Sequence, residues 1–378
     1  MPIIIIWVLL TIFGLLAIYS VSIYESFTLT VSLIAKWAMK WDPSNYFYFF
    51  RQLRNVGMAL IMAGLIYYVP IKFFQKERNM TIIAIILMAL QLAVFIPGIG
   101  VTLNGARGWI NVPLLPSIQP AEFFKLGYVL FLGSWLLRKR NTMNDKKFFT
   151  SFIVLNAILF FIFLLIPDLG TVMILGIVWL IMCRYMWAKL KHILLILFGG
   201  LLAGIVVWAV AGTVSDRFSY IQKRFTYFIS SSSDPQAKQI GWQNQEALLA
   251  IWGGWFRWKW YGKWLQKFWY IPEAQSDFVF SAFSEEIGFV GNLVILWLYF
   301  YLGYYFLSNL SKIRDDYKKV VGVWILSLVL VQVFVNIGVN TEILPNTGLT
   351  LPFISYWGTA LMVNLMEIVI LYKIIKDK

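Results

Sequence analysis

The chain is predicted to be an all-α polytopic membrane protein, with about ten transmembrane helices and one large extracytoplasmic loop between helices seven and eight. Three observations predict this. Of its 378 residues, 60% are hydrophobic and only 13% charged, which is too apolar a surface balance for a water-soluble domain. Apolar runs of about 20 residues recur along the whole length, each long enough to cross the hydrocarbon core. Lys and Arg gather in alternate loops between those runs, the pattern that fixes orientation in a bilayer.

The first run, Ile3 to about Ser22, has no Lys or Arg before it and no small-x-small cleavage site, so it reads as a retained helix. Further spans are expected at about 55–70, 81–98, 121–137, 148–166, 171–183, 193–212, 277–307, 320–340 and 355–372. Residues 1–378 read as a single membrane domain, with the extracytoplasmic loop at 213–276. The loops 71–80, 138–147, 184–192 and 308–319, with the tail 373–378, hold 18 of the 32 Lys and Arg residues. The positive-inside rule puts these segments and both termini in the cytoplasm of a plasma or inner membrane. The same clustering accounts for the net charge of +14 without any nucleic acid partner.

The single Cys183 excludes an internal disulfide and a cysteine metal cluster. The single His192 lies beside Lys191 in a basic loop, which argues against histidine catalysis. The outward set comprises 23–54, 99–120, 167–170, 213–276 and 341–354. The loop 213–276 is too long to obey the charge rule, yet it carries eight basic residues against four acidic ones. Arg217, Lys223, Arg224, Lys238, Arg257, Lys259, Lys263 and Lys267 suit lipid phosphates or an anionic substrate; a solvated amphipathic surface is the alternative. No internal repeat is visible, which counts against an inverted-repeat transporter.

Asp277 closes that loop and opens a hydrophobic helix. An ionisable group at a membrane boundary is a functional candidate, and a helix cap is the plainer reading of Ser-Asp before an apolar run. Pro120 suits the first turn of the fourth span, which places Glu122 and Lys125 three apart on one helical face. The positive end of that helix dipole favours a pyrophosphate; a self-neutralising ion pair is compatible with the same residues. Asp168, in Pro167-Asp-Leu-Gly-Thr171, reads first as an N-terminal cap. At least one of Glu285 and Glu286 is expected to face the bundle interior. The stretch Asn346 to Gly358 has Gly and Pro spacing suited to a re-entrant, non-helical segment.

On these residues the chain resembles the SEDS family, the FtsW, RodA and SpoVE type, from about residue 45 to the C-terminus. Four motifs carry the resemblance in order: Gly-Ala-Arg…Trp with Ser-Ile-Gln-Pro-Ala-Glu…Lys; Pro-Asp-Leu-Gly-Thr; Pro-Glu-Ala-Gln-Ser-Asp-Phe…Glu-Glu-Ile-Gly; and Gly-Leu-Thr-Leu-Pro-Phe-Ile-Ser-Tyr. Thr350 and Pro-Glu-Ala lean towards FtsW over RodA. The resemblance implies a peptidoglycan glycosyltransferase that polymerises lipid II with a class B penicillin-binding protein transpeptidase, among divisome or elongasome membrane proteins. It implies Asp277, Glu122 and Lys125 as catalytic residues. Arg107, Trp109, Gln119, Asp168, Glu286 and Ser355 are the expected substrate-binding residues. No resident metal site is expected, and a divalent cation, Mg or Mn, at the phosphates is left open. A flippase of the lipid-linked precursor and a non-catalytic divisome scaffold are the competing readings. Arg107, Glu122, Lys125, Asp168 and Asp277 all lie on the outward side, which favours surface chemistry over passage.

Two departures stand out. Gly108 replaces the second arginine usual in the first motif. Trp252, Trp255, Trp258, Trp260, Trp264, Trp269 and Trp357 fall at or near positions where relatives carry glycine or another small residue. Either they form an aromatic belt, or UGA codons that this organism reads as glycine have been translated as tryptophan. In the second case the segment 251–264 is a glycine-rich turn that tryptophans would overcrowd. The gene decides between them: UGA at those seven codons and UGG at Trp109 would establish recoding.

Overall fold

The computed structural model of the chain describes residues 2–36, 42–103, 106–111, 116–139, 146–166, 168–185, 199–200, 228, 235–256 and 274–377. The expected seventh span and most of the loop 213–276 lie outside the described residues. So do Trp258, Trp260, Trp264 and Trp269, and the side chain of Trp255. The described chain is almost entirely helical. In order it forms α1 (Pro2–Val21), α2 (Ile23–Ala35), α3 (Phe47–Tyr68), α4 (Ile71–Gln75) and α5 (Glu77–Ala93). A hairpin of β1 (Gly100–Leu103) and β2 (Ala106–Ile110) follows, then α6 (Pro120–Arg138), α7 (Lys146–Leu165) and α8 (Leu169–Tyr185). The last helices are α9 (Pro235–Phe256), α10 (Val279–Leu310), α11 (Asp316–Asn340) and α12 (Gly358–Lys376). α1, α10, α11 and α12 are each long and apolar enough to cross a membrane, and α2, α8 and residues 150–163 of α7 are shorter apolar helices. The protein has a polytopic α-helical membrane fold.

The structure differs from the sequence expectation in three places. The stretch 23–54, expected as a loop, contains α2 and the first turns of α3. Thr28, Thr30 and Ser32 turn their hydroxyls back onto carbonyls three or four residues earlier, which satisfies these hydroxyls within the helix. The loop 99–120 contains an antiparallel hairpin in an otherwise helical chain. The turn expected from residue 251 onward is, as far as Phe256, the last part of α9. It packs too closely to be a free loop: a Cβ added to Gly254 would stand 2.3 Å from the Ser284 carbonyl oxygen. Trp252, 49% exposed, points away from that contact and is not crowded.

The chain divides into two compact units. The first contains residues 1–66, 233–306 and 332–368, and the second 67–232, 307–331 and 369–378. In the second, α5 and α6 run antiparallel: Glu77 and Arg138 form a 2.8 Å ion pair at one end, and Leu87 lies against Gly127 further along. In the first, α10 is broken at Gly288, whose φ of 66° and ψ of −170° interrupt the helix just after Glu285 and Glu286.

Candidate active site

In the first unit the site is built on a turn. Residues 274–278 form it, and the helix α10 begins at Val279. Ala274, Gln275, Ser276 and Phe278 are buried, whereas Asp277 is only half-buried. The first helical bond of α10 runs from the Ala282 amide to the Phe278 carbonyl (3.0 Å), so Phe278, not Asp277, occupies the N-cap position. A phenylalanine has no oxygen with which to cap. Asn340 supplies one from α11: its Oδ1 accepts from the Ser281 amide (3.1 Å) and hydroxyl (2.5 Å). Asp277 therefore stands one residue outside the helix.

The Asp277 backbone is held from the same helix. Its carbonyl accepts from Asn336 Nδ2 (2.9 Å) and from Asn340 Nδ2 (3.0 Å). Asn336 Nδ2 also donates to the Leu349 carbonyl (2.6 Å), and Gln332 Nε2 donates to the Thr350 carbonyl (3.1 Å) and hydroxyl (3.2 Å). Gln332, Asn336 and Asn340 are spaced four residues apart, so all three carboxamides lie on one face of α11.

That face supports the stretch 341–357, which is non-helical although Leu349 to Ser355 are all buried. Irregular backbone inside a bundle needs partners for its polar groups, and side chains supply them here. Tyr299 donates to the Pro352 carbonyl, and Gln52 Nε2 to the Ser355 carbonyl (3.2 Å). The Ser355 hydroxyl accepts from the Leu351 amide (2.7 Å), and the Tyr356 amide donates to the Gln275 carbonyl (2.9 Å). Gly348 has φ +71°, and a Cβ placed there would lie 3.6 Å from Asp277 Oδ2. The Asp277 carboxylate thus faces the backbone of this stretch at its glycine. Glu285 and Glu286 are both buried; Glu286 accepts from the Ser20 hydroxyl, and Glu285 lies along the Gly253 face of α9.

In the second unit the candidate residues sit at the start of α6. Pro120 takes the first helical position and Gln119 the N-cap with extended backbone. The hairpin fixes this entry: Trp109 pairs with Val101, and Ile110 bridges to Ile118 through bonds of 2.8 and 3.0 Å. Lys125 Nζ lies 2.9 Å from both Glu122 carboxylate oxygens, with 3% and 6% of the two side chains exposed. The backbone of Arg107 belongs to β2, and its side chain lies outside the described residues. Asp168 is a cap: its oxygens accept from the Thr171 amide (3.0 Å) and hydroxyl (2.8 Å).

Among the described residues no three acidic, histidine or cysteine side chains come together as a cation cage. Sequence reasoning missed Gln332, Asn336, Asn340 and Gln52. The signal was present, because carboxamides repeating at four-residue spacing inside an apolar span are costly unless they have a task.

Residues 1–378 match the FtsW/RodA/SpoVE cell cycle protein family. Stage V sporulation protein E of Bacillus subtilis is 33% identical over 377 residues, covering 98% of this chain and 95% of its own. A probable peptidoglycan glycosyltransferase FtsW of Buchnera aphidicola is 32% identical over 343 residues, covering 88% and 91%. A chain from a structure described as the structural coordination of polymerization and crosslinking by a peptidoglycan synthase complex superposes with a TM-score of 0.75 at 23% identity, covering 99% and 97%. The rod shape determining protein RodA of Thermus thermophilus gives 0.66 at 22% identity, covering 99% and 96%. The chain belongs to the FtsW/RodA/SpoVE family.

Proposed function

We propose that this protein is a peptidoglycan glycosyltransferase that polymerises lipid II in the plasma or inner membrane, in an FtsW-like septal role. Its partner is a class B penicillin-binding protein that supplies the cross-linking, within the divisome, and both termini are cytoplasmic. The observation that carries the reading is the placement of Asp277. This half-buried carboxylate stands just before the first turn of α10 and faces the backbone at Gly348. The names of the relatives support the same activity.

The reaction needs a base near a sugar hydroxyl and positive charge near the departing pyrophosphate. Asp277 takes the proton from the acceptor hydroxyl as its oxygen attacks the anomeric carbon. The bond to the lipid pyrophosphate breaks with inversion. Lys125 and Arg107 neutralise the leaving group, and the positive end of the α6 dipole adds to them. Glu122 orients Lys125 when no phosphate is bound.

The test is purified protein with lipid II, with and without the cognate transpeptidase, assayed for glycan strands. Strands made by the wild type and lost in Asp277→Asn support the enzyme. Lipid II crossing vesicles without strand formation would point to a flippase. A dispensable Asp277 would leave the scaffold reading.

A further inference from the structure

We infer that Asn336, assisted by Asn340, is a positioning residue for Asp277, a reading that rests on Asp277 being the base. The bonds leave little freedom in its role. An asparagine amide nitrogen carries two hydrogens. On Asn336 one goes to the Asp277 carbonyl at 2.9 Å and the other to the Leu349 carbonyl at 2.6 Å. One 1%-exposed side chain therefore ties the turn that carries Asp277 to the non-helical stretch that carries Gly348. Those two segments are over 70 residues apart in sequence, and Gly348 is where the Asp277 carboxylate faces backbone. Asn340 adds a second donor to the same Asp277 carbonyl at 3.0 Å and anchors itself on the start of α10 through Ser281. With its carbonyl gripped twice and the next helix capped from α11, the Asp277 backbone cannot rotate without breaking several buried bonds. The backbone that carries its carboxylate is thereby held by α11.

This division of labour follows from where Asp277 sits. A carboxylate on the turn before α10 stands outside the helix itself. Positioning a reactive group within an ångström is what separates a productive site from a slow one. The device that positions it is a helix face, whose side chains are spaced by backbone geometry. Acting on the reaction through the Asp277 backbone, the carboxamides should change turnover when lost and leave substrate binding alone.

The test uses full-length protein in its complex with the transpeptidase. Asn336→Leu keeps the volume and removes both donors; its kcat should fall about 10- to 100-fold while KM for lipid II stays within about threefold. Asn340→Val removes one of two donors to the carbonyl and should give a smaller fall in kcat with the same KM. Asn156→Leu is the matched control: it removes another buried carboxamide, one that accepts from Tyr128 and donates to the Phe152 carbonyl at 2.7 Å. It should lower thermal stability comparably and leave kcat per folded molecule unchanged. If Asn336→Leu does not insert, Asn340→Val decides. An unchanged kcat, or a loss confined to KM, overturns the positioning role. Asp277→Asn in the same assay separates the two readings. A dead Asp277→Asn beside a fully active Asn336→Leu sinks only the positioning role, and an active Asp277→Asn sinks the base assignment itself.

Discussion

The two units hold their candidate residues by opposite means. In the second unit Glu122 and Lys125 stand on an uninterrupted helix, three residues apart, and neutralise each other within the core. Their geometry is local and comes with the helix. In the first unit Asp277 stands on a turn, and its orientation is imposed by side chains from a helix more than 50 residues further along the chain. The surrounding cores differ accordingly. Around the turn, Gln332, Asn336, Asn340, Asn346, Thr350 and Ser355 are all buried, each contributing to irregular backbone. The hydrophobic packing of α6 needs nothing comparable. A buried ion pair is self-contained and can be disturbed only by removing a partner, whereas the Asp277 turn can be disturbed from several directions.

The comparison is broken most severely at Asp277. Asp277→Asn is expected to cut polymerisation by about 100- to 10,000-fold, the usual range for losing a general base, with insertion and thermal stability near wild type. Strand synthesis on lipid II by the purified variant checks this; near-normal output would leave the turn without a chemical role.

Next in size is the ion pair. Lys125→Ala strands the Glu122 carboxylate in the core, so it should destabilise the unit by about 3–5 kcal/mol and also cripple turnover. Lys125→Arg restores the charge and should retain much of the activity, and Glu122→Gln should fall between the two. Equal turnover in Lys125→Ala and wild type would confine the pair to a structural role.

Gly348→Ala sharpens the contrast from the loop side. The residue has a positive φ, and the new methyl would sit 3.6 Å from the Asp277 carboxylate oxygen. A cost of about 1–2 kcal/mol in stability is expected, with activity falling further than that loss explains. Denaturation and turnover measured on the same preparation separate the two effects.

The smallest effect lies at the end of α11. Glu342 has φ 57°, one of its carboxylate oxygens is buried with no hydrogen-bond partner, and burial pushes its carboxyl above the ordinary value of 4.5. A raised carboxyl contributes stability below its ordinary pKa and loses it as pH climbs through the raised value. Glu342→Gly should therefore stabilise the protein by about 1 kcal/mol through the relieved backbone. Its advantage over wild type should be larger at neutral pH than at pH 4. Thermal scans across that range test the sign.

The helices were legible in the sequence because their signals are short-range. Pro120 starting α6, the Glu122–Lys125 spacing and the Asp168 cap with Thr171 all depend on residues within one turn of each other. The apolar runs were equally plain, since a bilayer selects for length and hydrophobicity. α2 was less so, because its serines and threonines satisfy themselves by bonding back along the helix, and composition alone does not reveal that. The four motifs placed Asp277 in the site by resemblance. What no local signal carried was how the turn around it is held. Phe278 occupies the N-cap position of α10, and Asn340 reaches in from another helix to accept from the Ser281 amide. Residues 349–355 stay buried without helical structure because Gln52, Tyr299, Gln332 and Asn336 supply hydrogen bonds that a helix would have made internally. Such partners are separated by tens to hundreds of residues, and only chain packing determines which of them meet. Sequence alone determined that this is a membrane protein with a boundary carboxylate and an ion pair. Tertiary structure decided which backbone groups hold that carboxylate in place, because a hydrogen bond depends on distance in space and not on position along the chain.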